Sequence, residues 1–408
     1  MRIVHINFDY GLAGVGGASI AASRLHNELL NSGIDSWFVC NFQRESGRNI
    51  IQVPANRTCT RWLFRYTGKI LRNVWRFTPI HKPITLNIIP SGMAQVVEQL
   101  NPQVIHIQWI VPDVLSWAEL KRMRFPMVVS LHDFWMLSGF TPYVGDARTV
   151  TGYSVSNSGW LERFLFRQKR TFLEKQRPCL VGPSEWICRC AKESFLGRGL
   201  SCEAISNVLD TTTFQFNPTL RRVHNRIVIL FGGQGGTRNL QKGFDDLLEA
   251  LGRLPQEFKR GVECHVFGEL ADECFCNGVR IRYRGVVRSV ADMVQIYHSA
   301  DLLAVPSKHE TQGQTKLEAL ACGLPVVAFD RTACAEGIVH KQNGWVAPDG
   351  DIESFKNGIV WCIEQLQAHA DVNSWRQKIS EAAVNEFGAK RVVPQYIDLY
   401  RRMCETEK

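Results

Sequence analysis

Long hydrophobic runs are missing from this sequence of 408 residues. No apolar stretch reaches the roughly 18 residues that a membrane-spanning helix needs. The first residues, MRIVHINFDY, carry an arginine and an aspartate and lack the apolar core of a signal peptide. With 45% hydrophobic and 21% charged residues, the composition excludes disorder and coiled coil. We therefore expect a folded cytoplasmic protein of two domains.

Cysteine spacings typical of zinc sites are also missing, although the chain has 13 cysteines. The two close pairs, at 188–190 and 274–276, have one intervening residue, whereas zinc and redox pairs usually have two. Cys264 and His265, with the second pair, could be drawn as a metal site. Reduced thiols of a cytoplasmic protein are the better interpretation, and we expect no metal.

Acidic residues are absent from one long stretch. Between Ser46 and Val97 there is no Asp or Glu, against eight Lys and Arg, and the net charge of the chain is +9. An excess of this kind indicates an anionic partner: a nucleic acid, a membrane surface or a phosphorylated substrate.

Two α/β patterns follow one another along the chain. The first has a strand at Arg2–Phe8, a glycine-rich turn, a helix at Ala18–Asn31 and a strand at Ser36–Asn41. The second begins with a strand at Arg226–Phe231, followed by the loop GGQGGTRNLQKG and another helix. Strand, turn, helix and strand predict parallel sheets, and hence two Rossmann-like domains, 1–210 and 211–389. Short strands are also predicted at 204–207, 302–305 and 326–329, and further buried strands end near Gln108 and Leu131.

The first glycine turn fails the dinucleotide fingerprint. After Gly14-x-Gly16 the expected Gly or Ala is Ser19, and the second strand lacks a terminal acid. A nicotinamide or flavin enzyme is therefore disfavoured. Gly16 and Gly17 still allow a phosphate or sugar hydroxyl close to a helix N-terminus, although a tight turn without a ligand remains an alternative.

The segment PSKHETQGQTKLEALACGLPVVAF carries the strongest chemical pattern. It predicts a loop with Glu310 and a helix that begins near Gln314 and carries Glu318. The amides of Gly313 and Gln314 can bind an anion, and the Thr315 hydroxyl can add a contact. Amides for phosphate and two carboxylates for hydroxyl groups suit a sugar nucleotide, whereas the alternative is two solvated surface glutamates.

Glu310-x7-Glu318 followed by ALACGLPVVA resembles the signature of retaining family 4 glycosyltransferases of the GT-B fold. GGASIAASRLHNELLNSGIDSWFV is similar to that family's N-terminal loop and first helix, VSLHDFW to its strand that ends at a histidine, and LQKGFDDLLEAL to its phosphate loop. HIQWIVPDVL and GQTKLEALACG are similar to members that build bacterial O-antigen, capsule or exopolysaccharide. Two departures are Gln312, where many members have Phe, and the out-of-register basic residue Arg238.

The resemblance implies an α/β GT-B fold whose two domains face a central cleft. The acceptor binds to 1–210, with Gly16 and Gly17 on that side, and the C-terminal helix 390–408 packs back on this domain. The nucleotide sugar binds to 211–389.

The resemblance also implies the roles of individual side chains. Lys242 and Arg238 bind the diphosphate of a UDP- or GDP-linked sugar without a metal. Glu318 accepts the ribose hydroxyls, and Glu310 orients the sugar. His132 contacts the sugar at the reacting centre, and His106 is a weaker candidate for such a role.

The basic stretch predicts a membrane-binding helix. In RTCTRWLFRYTGKILRNVWRF, residues 57–77, the six basic residues fall within an arc of roughly 120° at 100° per residue. The opposite side is apolar and aromatic, which favours an anionic membrane surface over nucleic acid; ordinary core packing remains the alternative. A polyprenyl-diphosphate-linked acceptor at the inner face of the cytoplasmic membrane fits this location. A GT-B nucleotide-sugar epimerase and a basic nucleic-acid-binding protein remain alternative functions.

Overall fold

The computed structural model describes residues 1–13, 15–53, 86–111, 113–139, 160–220, 226–233, 235–368 and 371–405. The predicted basic helix at 57–77 lies outside this part of the chain. The Cα positions divide the chain into two compact units. Unit 1 comprises Met1–Ile205 and Val393–Lys408, and unit 2 comprises Ser206–Val392.

Unit 1 contains a parallel sheet of seven strands in the order β3-β2-β1-β4-β5-β6-β7. Its central strands are buried on both faces, as expected for a parallel sheet covered by helices. The strands are β1 (Arg2–Tyr10), β2 (Asp35–Gln43), β3 (Ile50–Gln52), β4 (Val104–Ile107), β5 (Met127–Ser130), β6 (Cys179–Gly182) and β7 (Cys202–Ala204). β7 lies earlier than the strand predicted at 204–207, because its edge pairing with β6 begins at Cys202.

Six α-helices of the described residues lie in or reach unit 1. The helix Trp117–Arg122 begins after the N-cap residue Ser116, whose hydroxyl forms a capping box with Glu119. The helices are α1 (Gly17–Asn31), α2 (Met93–Leu100), α3 (Trp117–Arg122), α4 (Trp160–Gln176), α5 (Glu185–Glu193) and the C-terminal helix (Ala389–Glu405). The C-terminal helix buries Tyr396 and Tyr400 in unit 1 from Val393 onward.

Unit 2 contains a second sheet in the order β10-β11-β9-β8-β12-β13-β14, parallel except for the edge strand β10. The strands are β8 (Ile227–Gly232), β9 (Val262–Phe267), β10 (Cys274–Cys276), β11 (Val279–Tyr283), β12 (Leu302–Val305), β13 (Val326–Phe329) and β14 (Gly344–Ala347). The helices are α6 (Phe244–Gly252), α7 (Gln256–Lys259), α8 (Val290–His298), α9 (Gln314–Ala321), α10 (Ile352–Ala368) and α11 (Val372–Phe387); with α12 we denote the C-terminal helix. The predicted α/β class with two Rossmann-like parallel sheets is confirmed.

In each unit the side chains singled out from the sequence follow the carboxyl ends of parallel strands. Gln108 and His132 come after β4 and β5, which pair directly. In unit 2, Lys242 and Glu310 come after β8 and β12, which also pair. The carboxyl edge of a parallel sheet is where ligands bind in doubly wound folds. Every helix in the described part of the chain is too short or too polar to span a lipid bilayer.

Candidate functional site

A half-buried ion pair joins the two loops that follow β8 and β12. Lys242 Nζ donates a hydrogen bond of 2.6 Å to Glu310 Oε1, and the two side chains are 20% and 15% exposed. The backbone holds the loops together at the same point, because Lys308 N donates to Gln241 O at 2.8 Å. The structure thus brings together two residues that lie 68 positions apart in the sequence.

Two glycines allow the Lys242 side chain to approach Glu310. Gly233 has φ 144°, and a Cβ there would lie 3.1 Å from Lys242 Cε. Gly243 has φ 71°, and a Cβ there would lie 2.1 Å from the carbonyl oxygen of Pro306. Any side chain at 243 would therefore push the lysine loop away from the Glu310 loop.

Burial opposes both charges, but the mutual attraction is stronger. The Glu310 carboxylate outweighs the effect of burial and raises the pKa of Lys242 above its ordinary value. In turn Lys242 outweighs burial, with help from Ser307 and His309, and lowers the pKa of Glu310. Both groups are charged at neutral pH, so the site holds one fixed cation and one fixed anion.

The helix α9 begins directly after the Glu310 loop. Gly313 is its N-cap residue with φ 85°, and Gln314 and Thr315 are its first two residues, all partly exposed. The first amides of a helix have no partner within the helix and carry the positive end of its dipole. The helix start predicted for this segment is therefore present, and the binding of an anion there stays a prediction.

Glu318 lies one turn further along α9 and is 6% exposed. Its Oε2 accepts a hydrogen bond of 2.8 Å from the hydroxyl of Tyr297, which belongs to α8. The alternative of a solvated surface glutamate does not hold for either carboxylate, since Glu310 is paired and Glu318 is buried.

Lys316 is buried in this helix and was not predicted as a site residue. It holds the loop that contains Ala333 and Glu336 beside the helix. Lys316 Nζ donates to the carbonyl oxygens of Ala333, Cys334 and Glu336 at 2.8, 3.1 and 2.5 Å. Burial lowers the pKa of Lys316 to about 8. A lysine inside an apolar helix face, three residues after a glycine cap, was the signal that could have identified it.

Arg238 and Gln312, at which the sequence departs from the glycosyltransferase pattern, both have defined hydrogen-bond or ion-pair partners. Arg238 Nε lies 2.7 Å from Glu269 Oε1, and the Arg238 side chain is 76% exposed. Gln312 is buried, and its amide bonds to Ser206 Oγ at 2.5 Å and to Asn207 N at 3.1 Å. Gln312 thus fixes the end of the Glu310 loop to the start of unit 2.

In unit 1, the histidine that follows β5 lies beside the residue that follows β4. His132 Nε2 is 2.9 Å from Gln108 Oε1, and both side chains line one small cavity with Asp133. Asp133 is held by Trp109 Nε1 at 3.1 Å. Burial lowers the pKa of His132 to about 4, so the imidazole is neutral at neutral pH.

The first glycine turn leads into α1. Gly16 is the N-cap with extended backbone, and Gly17 is the first helical residue and is exposed. Beneath them the Ser19 hydroxyl donates to Asp9, and burial raises the pKa of that carboxyl. The turn is therefore tied to the carboxyl end of β1.

Among the described residues, no group of three His, Cys, Asp or Glu side chains is arranged to hold a metal ion. In the cluster considered from the sequence, Cys264 is buried in β9 whereas Cys274 is exposed on β10. The cluster considered from the sequence is therefore divided between the core and the surface of unit 2.

Comparison with known proteins gives the fold a family context. Residues 226–365, all in unit 2, match the family model "Glycosyl transferases group 1". The N-acetyl-alpha-D-glucosaminyl L-malate synthase of Bacillus anthracis is 23% identical over 404 residues, covering 97% of this chain and 96% of that protein. The O-antigen chain mannosyltransferase B of Escherichia coli is 28% identical over 179 residues, covering 41% and 44%. Two further curated relatives are matched over 35% and 25% of their own length.

Solved structures extend the likeness over the whole chain. The Anabaena protein Alr3699/HepE in complex with UDP and glucose superposes with a TM-score of 0.63 at 16% identity, covering 98% of this chain and 100% of that one. At this identity the likeness shows the fold, which is GT-B.

Proposed function

We propose that this chain, a GT-B protein similar in unit 2 to group 1 glycosyl transferases, is a retaining glycosyltransferase. It moves a sugar from a UDP- or GDP-linked donor to a saccharide acceptor. The observation that carries the proposal is the Lys242–Glu310 pair at 2.6 Å, followed directly by the start of α9 and the buried Glu318.

The leaving group is a nucleoside diphosphate, which gains negative charge as the glycosidic bond breaks. Lys242 and the amides of Gly313 and Gln314 are placed to stabilise that charge, so we propose that transfer needs no metal ion. Arg238 adds a positive charge on the Lys242 loop, weakened by its pairing with Glu269.

The two carboxylates act on hydroxyl groups. Glu318 accepts from the ribose hydroxyls while Tyr297 holds the carboxylate in place. Glu310 accepts from the hydroxyls of the donor sugar and is held by Lys242. His132, neutral at neutral pH, contacts the sugar near the reacting carbon, and retention proceeds on one face of the sugar.

Thermal unfolding with added ligands tests the donor assignment. UDP or GDP at 100 times its Kd is expected to stabilise the protein by about 2.7 kcal/mol, which is several degrees in Tm, with chelator present as well as without. Lys242→Ala serves as the matched control and is expected to lose the shift. Stabilisation by NAD or by oligonucleotides, with none from either diphosphate, contradicts the proposal. Slow hydrolysis of a panel of nucleotide sugars then identifies the donor.

We propose further that the acceptor is carried on a polyprenyl diphosphate, in the assembly of a bacterial surface polysaccharide, at the inner face of the membrane. The basic, aromatic pattern at 57–77 supports this from the sequence. A second surface of unit 1, which we call the aromatic patch, supports it independently. It comprises Trp160, Arg163, Phe164, Arg167, Arg170 and Phe195.

The aromatic patch combines exposed rings with arginines. Trp160 is 65% exposed and Phe195 58%, whereas most large apolar side chains of unit 1 are buried. Arg170 lies over the Phe195 ring at 5.5 Å. Aromatic rings settle at the headgroup level of a bilayer and arginines bind lipid phosphates, so an anionic membrane surface is the occupant that matches this chemistry.

Sedimentation with vesicles tests both surfaces. The wild type is expected to bind vesicles with anionic lipid and to be released by salt. Replacing Arg61, Arg65, Lys69 and Arg72 with Gln is expected to release it, at about 1 kcal/mol for each charge lost. A second variant, Trp160→Ala with Arg163→Gln and Arg167→Gln, is expected to weaken binding too.

The matched control carries Leu270→Ser and Phe275→Ser, which remove comparably exposed apolar side chains from unit 2. It should bind like the wild type. Absence of binding by the wild type, or equal binding by the charge variant, contradicts the membrane proposal and leaves the donor site untouched.

A further inference from the structure

A buried chain of hydrogen bonds connects His132 to the C-terminal helix. Gln108 Oε1 lies 2.9 Å from His132 Nε2, and Gln108 Nε2 lies 3.2 Å from both His5 Nδ1 and His106 Nδ1. His106 Nδ1 is also 2.7 Å from the hydroxyl of Tyr400, and the other ring nitrogen of His106 is 2.9 Å from Ser130 Oγ. All these residues belong to unit 1.

Tyr400 determines where His106 carries its proton. The side chain of Tyr400 is fully buried, and within the described part of the chain its hydroxyl has His106 Nδ1 as its hydrogen-bond partner. A buried hydroxyl that does not donate leaves its proton unsatisfied, which is costly. Tyr400 therefore donates to His106, whose Nδ1 is an acceptor and whose Nε2–H donates to Ser130.

Because His106 Nδ1 is a hydrogen-bond acceptor, it determines the orientation of the Gln108 side-chain amide. The Tyr400 hydroxyl takes the single lone pair of His106 Nδ1, and a carbonyl oxygen facing that nitrogen would be repelled, so the NH₂ end of Gln108 faces it at the longer distance of 3.2 Å. The same NH₂ group lies 3.2 Å from His5 Nδ1, while His5 Nε2 has no hydrogen-bond partner among the described residues. The carbonyl end then faces His132, and Nε2 of that ring must be the donor. The chain of donors and acceptors therefore selects the Nε2–H tautomer of His132.

All three imidazoles are neutral at neutral pH, so the assignment of donor and acceptor nitrogens holds. Burial lowers the pKa of His106 to about 3 and that of His5 well below its ordinary value, and the neighbouring imidazoles lower both further. The pKa of His132 is also lowered by burial, to about 4. At neutral pH each ring has one donor and one acceptor nitrogen.

We propose that Gln108 is a positioning residue that holds His132 as the Nε2–H tautomer, with its Nδ1 as a hydrogen-bond acceptor, and that Tyr400 acts through it. For catalysis this rests on the proposed role of His132 at the donor sugar. A ring that is free to change tautomer or rotate loses the geometry in which a donor hydroxyl is bound. Misplacement of about 1 Å in such a site can cost about 10²-fold in rate.

The test combines nitrogen NMR with kinetics on the full-length chain. In ¹⁵N-histidine-labelled protein at pH 7, His132, assigned by comparison with His132→Gln, should show a protonated Nε2 and an unprotonated Nδ1. Gln108→Leu should give a mixture of tautomers and lower kcat about 10²-fold while KM for the donor changes little. Gln108→Glu keeps the acceptor for Nε2–H and should retain that tautomer.

Two further variants separate positioning from a loss of structure. Tyr400→Phe removes one hydroxyl and should shift the tautomer balance in the same direction as Gln108→Leu. Gln176→Leu removes an amide that bonds only to the carbonyls of Leu120 and Met123 among the described residues, so it should lower Tm without altering His132. Wild-type His132 signals in Gln108→Leu overturn the proposal, as does wild-type kcat. The NMR result holds or fails whether or not a donor sugar is ever turned over.

Discussion

Lys242→Ala is expected to lower the rate of sugar transfer by about 10²–10³-fold, which corresponds to roughly 2.7–4 kcal/mol of lost transition-state stabilisation. The lysine is the fixed cation of unit 2 that contacts Glu310, and its loop follows β8 directly. Under the proposed function, its removal deletes the charge that meets the leaving diphosphate. Initial rates with a defined donor, measured as kcat and KM separately, give the size of the effect.

The same substitution leaves Glu310 without its partner. An unpaired carboxylate that is 15% exposed has its pKa raised again by burial, so the variant should become less stable at neutral pH than the wild type. Glu310→Gln alone should cost activity and also leaves the Lys242 cation unpaired, so it carries a penalty of the same kind. The double variant Lys242→Ala with Glu310→Gln should therefore unfold at a higher temperature than Lys242→Ala alone.

Glu318→Ala removes the carboxylate that Tyr297 holds and is expected to lower transfer strongly, through weaker donor binding. Arg253→Ala is the matched control, since Arg253 pairs with Glu249 on the exposed surface of unit 2. Exposed pairs are worth about 0–1 kcal/mol, so this variant should behave like the wild type. Wild-type turnover in Lys242→Ala, Glu310→Gln and Glu318→Ala together refutes the donor-site assignment.

The elements that carry this site were predictable because their signals are local. β12 and β13 were predicted at their observed bounds, since short runs such as LLAV and VVAF are apolar throughout and end at turn residues. The start of α9 followed from Gly313. The helix at 160–176 was missed, because its mean apolar content is low and its buried face alternates with arginines on the outside.

The partners within the site were not predictable in the same way. Gln108 and His132 meet because β4 pairs with β5. The hydrogen bond between His106 and Tyr400 joins residues that lie 294 positions apart in the sequence. Arg238 was predicted to help Lys242 at the diphosphate, but the fold gives it Glu269 as a partner. Lys242 reaches Glu310 because Gly233 leaves room. Such contacts depend on strand order and on backbone angles that no single segment of sequence encodes.

Deleting the C-terminal helix, with the chain ended at Phe387, is expected to abolish the stable fold of unit 1 and to lower activity with it. The helix buries Val393, Tyr396, Leu399 and Tyr400 to 3% exposure or less. Truncating a large buried side chain costs about 2–5 kcal/mol, and the whole stability of a domain is about 5–15 kcal/mol. The loss of four such side chains is therefore comparable to the total.

Hydrogen exchange followed by mass spectrometry measures this unit by unit. In the truncated chain the amides of β4 and β5 should exchange far faster than in the wild type, whereas those of β12 and β13 should keep most of their protection. Arg402→Ala is the control, because it removes an exposed pair with Glu203 and should leave Tm nearly unchanged. A chain ending at Phe387 with wild-type protection in β4 and wild-type activity shows that the helix is dispensable.

Tyr400→Phe separates the two contributions of the helix, core packing and the hydrogen bond to His106. It keeps the ring in the core and removes only the hydroxyl. The rate of sugar transfer should therefore fall while Tm changes little.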